Sequence, residues 1–230
     1  MESTIEEPSV PESRLPALPA RLFAVFFSPG KLMAQLAAEP KWFGALVVAA
    51  IVVGLSVALI PVDVMLEVGR QRALERGGEM PEIPEAATRV MRLVLPVTSV
   101  ISTMIFYFVF AGLYTVIFAF ILGDEGTYKQ YLAVVSHASF IAVLFGLLLT
   151  PLRISTGDPQ FTLNLASFMF FLPDGYLLNV FQAMDLTQIW SMLVVAQGAH
   201  AIDGRRSFTS AAMILMGILV AMALVIGRFL

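Results

Sequence analysis

Five stretches of this 230-residue chain run without an Asp, Glu, Lys or Arg for long enough to cross a lipid bilayer. They are Trp42–Val62 (21 residues), Leu93–Gly123 (31), Gln130–Leu152 (23), Leu186–Ile202 (17) and Ser207–Gly227 (21). A charged side chain at mid-bilayer costs ~2.5–3.5 kcal/mol on insertion scales. A spanning helix needs about 17–25 apolar residues. Hydrophobic residues make up 58% of the chain, charged residues only 13%, and the mean hydropathy is +0.85. A water-soluble domain of this size has too much surface to hide so many apolar side chains. The expectation is an all-α, polytopic integral membrane helical bundle. It has about five transmembrane helices, near residues 42–62, 97–122, 131–151, 186–203 and 209–228, plus an N-terminal amphipathic interfacial helix.

The second run is too long for one crossing, and its hydroxyl-rich start, Pro96–Thr103, is placed near the interface. Phe161–Leu172 is a sixth apolar segment. Its short length and its Asn164 and Ser167 suit a re-entrant or interfacial segment better than a span. After the first span, Asp63–Arg76 alternates charged and apolar residues and can carry that helix out past the membrane. The domain reading is a disordered cytoplasmic tail over 1–20, the interfacial helix over 21–40 and the membrane domain over 41–230.

A net charge of −3 gives no reason to expect nucleic acid. With no cysteine, disulfides, thiolate catalysis and cysteine zinc sites are excluded. The first thirteen residues are acidic and rich in Pro and Ser, without the positive and apolar regions of a signal peptide. Lys and Arg divide evenly between the two sides of a five-span topology. Lys41 and Arg205–Arg206 stand directly at span ends, where charge weighs most, and this places the N-terminus inside.

Ahead of the first span, Ser28-Pro29 is a helix start, a hydroxyl residue followed by Pro at the first helical position. Phe23, Phe26, Phe27, Leu32, Leu36 and Trp42 then form the candidate docking surface, the aromatics and sparse basic residues matching a helix lying in the headgroup plane. A helix packed under the bundle is the alternative.

Three anchors carry a family resemblance. They are Leu22-Phe23…Ser28-Pro29…Trp42, then Gly126-Thr127-Tyr128-Lys129-Gln130-Tyr131, then Asp185-Leu186-Thr187-Gln188-Ile189-Trp190 followed by Gly198. In this order and at these spacings the chain resembles the Yip family of Ypt/Rab-interacting membrane proteins, and it looks like a bacterial member. The resemblance implies five spans, a cytosolic N-terminus and a C-terminus on the far side. A bacterial member would sit in the cytoplasmic (inner) membrane, which argues against a Rab GTPase as partner.

No phosphate-cradling loop, nucleophile elbow or zinc-protease motif is present. Polar residues inside spans are therefore the only candidates for chemistry. His137, His200 and Asp203 could gather near the inner end to hold a divalent metal or relay protons. Alternatively His137 bonds a neighbouring serine or backbone carbonyl and His200 reaches the interface. Asp185 is placed as the N-cap of the fourth span. The expected function is that of a non-enzymatic membrane organiser, trafficking-like scaffold or accessory subunit, with no cofactor. Its partners would be the lipid bilayer and a membrane protein or a second copy of itself. A small-solute or ion transporter or channel, or a metal-binding membrane protein using the two histidines, is the alternative.

Overall fold

The computed structural model describes residues 15–229; residues 1–14, most of the tail expected over 1–20, lie outside them. Eleven α-helices are described: α1 Leu18–Phe27, α2 Pro29–Ala38, α3 Phe43–Leu59, α4 Val62–Glu75, α5 Glu85–Tyr114, α6 Tyr128–Ala138, α7 Phe140–Leu148, α8 Thr150–Thr156, α9 Tyr176–Gln182, α10 Leu186–Ile202 and α11 Phe208–Ile226. A π-helical turn, Thr115–Ile121, continues α5. Among the described residues there is no β-strand, only an isolated bridge between Asn164 and Asp185.

Three continuous helical stretches are long and apolar enough to cross a membrane: Glu85–Ile121, Tyr128–Leu148 and Phe208–Ile226. The pair α3 and α4, bent by 77°, forms a fourth if taken as one span. At 17 residues and ~1.5 Å per residue, α10 stands at the short end of what a crossing needs.

The bend after α3 departs from the expected straight extension. Ile60 turns extended, with ψ 123°, and Pro61 has no N–H to continue the ladder, so α4 leaves at a new angle. The segment Phe161–Leu172 forms only a short 3₁₀ turn, Leu165–Phe168, with the Asn164 side chain accepting from Ser167 N–H. That polar cap and the short length leave it no helix to span with.

Residues 21–40, read from the sequence as an interfacial helix or one packed under the bundle, form parts of two helices, α1 and α2, that fold back on each other as a hairpin packed on the bundle. Ser28, at φ −147° and ψ 54°, breaks the helix, and Pro29 starts the next one as the sequence implies. Leu32, Met33 and Leu36 on α2 are fully buried, chiefly against α10. At the tip, Phe26 packs edge-on against Trp190 of α10 and Phe140 of α7, with ring centroids 5.7 and 6.3 Å apart. At the base, Arg21 donates to the Lys41 carbonyl (3.1 Å) and Gln130 donates to the Ala37 carbonyl (2.8 Å). The hairpin thus runs along the bundle rather than across its end. Van der Waals contact between the α2 apolar face and α10 holds it there.

The core is one cluster, in which α6 is buried along almost its whole length, α2, α3, α5 and α10 pack around it, and α11 packs on α10. Small residues set the closest approaches. A Cβ on Gly54 of α3 would come within 2.6 Å of Val100 and 3.3 Å of the Pro96 carbonyl of α5. The Ala50–Gly54 face is therefore used within the chain, whereas Gly217 and Ala221 of α11 are exposed.

Candidate functional site

The features that stand out gather at one end of the bundle, where the loop between α5 and α6 meets the loop between α10 and α11. Asp203 follows the last residue of α10. Its carboxylate accepts from the Glu125 backbone N–H (2.8 Å) and from the Arg205 backbone N–H (2.9 Å) and guanidinium (2.8 Å from Nη2). These bonds, with that from the Arg205 side chain foremost, hold the Asp203 carboxyl far below its ordinary value. Beside it, Arg206 grips Asp124 through Nε (2.8 Å) and Nη2 (2.6 Å) in a paired, fork-like geometry. The Asp124 side chain is 6% exposed and that of Arg206 17%.

The Gly126–Tyr131 motif closes the same corner. Thr127 and Gln130 form a reciprocal capping box at the start of α6. The other end of the Gln130 amide caps α2 through Ala37, so one side chain ties two elements. Tyr131 is fully buried and stacks on Phe118 at 6.0 Å between ring centroids. Gly126 lies flat on Tyr131, where a Cβ would fall 2.7 Å from the ring. Tyr128 donates its hydroxyl to the Phe108 carbonyl.

The two histidines take backbone partners. His137 is buried, with Nδ1 2.8 Å from the Ala133 carbonyl one turn back. His200 Nδ1 is 2.7 Å from the Arg206 carbonyl across the α10–α11 loop. With Asp203 engaged by Arg205 and Glu125, these residues are not brought together. Among the described residues no group of three or more His, Asp or Glu side chains is placed to hold a metal ion. Asp185 does cap α10, its Oδ1 accepting from Thr187 N–H at 2.6 Å and Gln188 N–H at 3.2 Å.

The six candidate docking residues divide into two sets. Leu32 and Leu36 are core residues, Phe26 is wedged against α7 and α10, and Trp42 packs edge-on to Phe43 and Phe108. Phe23 and Phe27 face outward, 68% and 75% exposed, their rings stacked with centroids 5.1 Å apart. Sequence reasoning missed the Asp124–Arg206 pair. A five-span topology puts Asp124 and Glu125 on the same side as Asp203 and Arg206, but it does not say which carboxylate takes which arginine.

A family model described as the Yip1 domain matches residues 23–229, nearly the whole chain. The chain belongs to the Yip1 family. No curated protein and no solved structure matches it. The Yip1 match starts at Phe23, within α1, and so takes in the second half of α1 and all of α2. It fits a membrane protein, in agreement with the apolar helices, and the family is not known as one of enzymes. The three sequence anchors of the resemblance each do structural work: Ser28-Pro29 turns the hairpin, Gly126–Tyr131 caps and seats α6, and Asp185–Trp190 with Gly198 caps α10 and packs it against α1, α6 and α7.

Proposed function

We propose that this Yip1-domain protein is a non-enzymatic membrane organiser, a scaffold or accessory subunit. In this reading the hairpin is a re-entrant wedge that offers its outer face to a partner within the bilayer. The observation behind it is the division of the hairpin. One face is locked into the core through Leu32, Met33 and Leu36, while the Phe23–Phe27 stack is left outward on α1, which is held by Arg21 at its base and by Phe26 at its tip. Rigidly held aromatic anchors are what membrane partners and lipid interfaces take up.

The accompanying topology has five crossings, with the N-terminus inside and α10 as the short fourth span. A bacterial cytoplasmic membrane is the proposed location, following the resemblance read from the sequence, and a partner other than a Rab GTPase goes with it. The inner corner built from Asp124, Asp203, Arg205 and Arg206 then keeps the two cytoplasmic loops in fixed relation beneath the hairpin.

Gentle detergent extraction of native membranes, followed by affinity recovery of the tagged chain, tests this. A membrane protein should be recovered with the wild type and lost with the Phe23→Ala/Phe27→Ala double variant, whose bundle stays folded because neither ring is buried. Recovery of the chain alone would count against the proposal. Solute flux into proteoliposomes would point to transport instead.

A further inference from the structure

At the end of the bundle away from the Asp124–Arg206 corner, a cavity of about 550 Å³ opens between α3, α4, α7 and the loop after α8. Its inner part is apolar, lined by Val53 and Val57 of α3 and by Ala142, Val143 and Gly146 of α7. Its rim carries two arginines, Arg72 of α4 and Arg153 of α8, and no carboxylate lines it.

We infer that this groove binds an anionic glycerophospholipid, its phosphate held by Arg72 and Arg153 and an acyl chain laid between α3 and α7.

The arginines come first. Arg72 Nη2 donates to the Gln160 side chain (2.6 Å) and Arg153 Nε to the Phe161 carbonyl (3.0 Å), so two adjacent loop residues bring the guanidiniums to one place. A guanidinium has more N–H donors than these single bonds use. Arg72 is exposed. Arg153 is half-buried, and its two Nη atoms are neither partnered nor sealed off from their surroundings.

Among the described residues no carboxylate pairs with either arginine. The acidic groups whose charge reaches Arg153 are Asp185 and Asp158. Asp185 Oδ1 is occupied in capping α10, and Asp158 Oδ1 accepts from the Gln160 N–H. Two guanidiniums side by side with donors to spare suit a phosphate, whose oxygens accept in the same fork geometry. A quaternary ammonium headgroup would bring a third positive charge beside them.

Depth fits a lipid rather than a soluble anion. Arg153 directly follows Leu152, the end of an uncharged run. Because α4 leaves α3 at 77°, it runs along the membrane surface and keeps Arg72 at the same level. Headgroup phosphates lie there, just outside the hydrocarbon. Below the arginines the groove descends along α3 from Ile60 to Val53, ~10 Å at the helical rise. The Ser56 hydroxyl on its wall is spent on the Val52 carbonyl (2.9 Å), so the inner part offers a chain only apolar contact. A Cβ on Gly146 would meet nothing within 4 Å, which leaves width for that chain. This site stands apart from the Phe23–Phe27 face and does not depend on what binds there.

The test is titration of the delipidated full chain, in neutral detergent, with dioleoylphosphatidylglycerol, dioleoylphosphatidylcholine and inorganic phosphate in turn, read by native mass spectrometry. Saturable binding of phosphatidylglycerol is expected, roughly tenfold or more tighter than that of phosphatidylcholine or of phosphate alone. Arg72→Gln/Arg153→Gln should weaken it roughly ten- to thirtyfold. Arg70→Gln/Arg76→Gln, the same change of charge nearby, should leave it unaltered. If the first double variant fails to fold, Arg72→Gln alone, at an exposed position, should still weaken binding about fivefold. Gly146→Leu, which fills open space in the groove, should weaken phosphatidylglycerol binding with both arginines in place. Equal affinity for the two lipids, phosphate binding as tightly as phosphatidylglycerol, or unchanged affinity in Arg72→Gln overturns the inference. So does an equal loss in the two double variants.

Discussion

Arg206 reaches back 82 residues to clasp Asp124, with Nη2 2.6 Å from Oδ1 and Nε 2.8 Å from Oδ2, and both side chains are largely withdrawn from solvent. That contact fixes how the loop before α6 sits against the loop before α11. The tight helix contacts behind it, α6 against α10 and α2 against both, depend on those loops holding their places.

Removing one partner of this pair should therefore cost more than an exposed ion pair does. Arg206→Ala or Asp124→Ala is expected to lower stability by about 1–3 kcal/mol, the range for leaving a buried group without its partner. Both changes together should cost less than the sum of the two. Thermal unfolding in detergent, run as a double-mutant cycle, measures the coupling.

The neighbouring carboxyl gives a pH signature. Bonds from Arg205 and from the Glu125 amide depress the folded value of Asp203. A depressed carboxyl contributes stability above its unfolded value of ~3.9, and that contribution disappears as pH falls through the folded value. Protection of the Glu125 amide against hydrogen exchange should thus stay level from neutral pH down to about pH 4. It should fall only in stronger acid. Asp203→Asn should show weak protection at every pH.

Packing between α10 and α6 makes a sharper prediction. A Cβ on Gly198 would sit 2.4 Å from Val134 Cγ1 and 3.1 Å from its Cβ, and a β-branched side chain has little freedom to withdraw. Gly198→Ala should destabilise by about 1–3 kcal/mol, as overpacking does. Adding Val134→Ala should recover part of the loss in the same unfolding measurement.

The capping box offers a test of how the hairpin is tied down. Thr127→Ala should cost about 1 kcal/mol through loss of the helix cap. Gln130→Ala removes both the box and the bond to the Ala37 carbonyl. It should additionally raise hydrogen exchange at the C-terminal end of α2, which Thr127→Ala leaves unchanged.

Much of the architecture was legible in the sequence because hydrocarbon leaves few alternatives: uncharged runs had to become helices, and Asp185, ahead of Leu186, could hardly avoid capping one. The hairpin was half legible. Ser28-Pro29 announced a helix start, and Leu32 and Leu36 announced an apolar face. Whether that face meets headgroups or another helix depends on α10, more than 150 residues away in the chain. The bend at Pro61 was readable from the residue itself and was outweighed by the charged periodicity that follows it. The polar corner was visible only in pieces. His200 and Asp203 share a helix face, but their partners come from Arg206, Arg205 and Glu125 in loops whose meeting no local pattern encodes.

The outward face of α1 carries the functional account, and site-specific photo-crosslinking in native membranes tests it most directly. A photoreactive residue is placed in turn at Phe23, Phe27, Leu32 and Leu36. The expected result is an adduct with one distinct membrane protein from positions 23 and 27, and only intramolecular products from positions 32 and 36. Adducts with lipid alone at positions 23 and 27, or equal capture of a partner from all four positions, would contradict it.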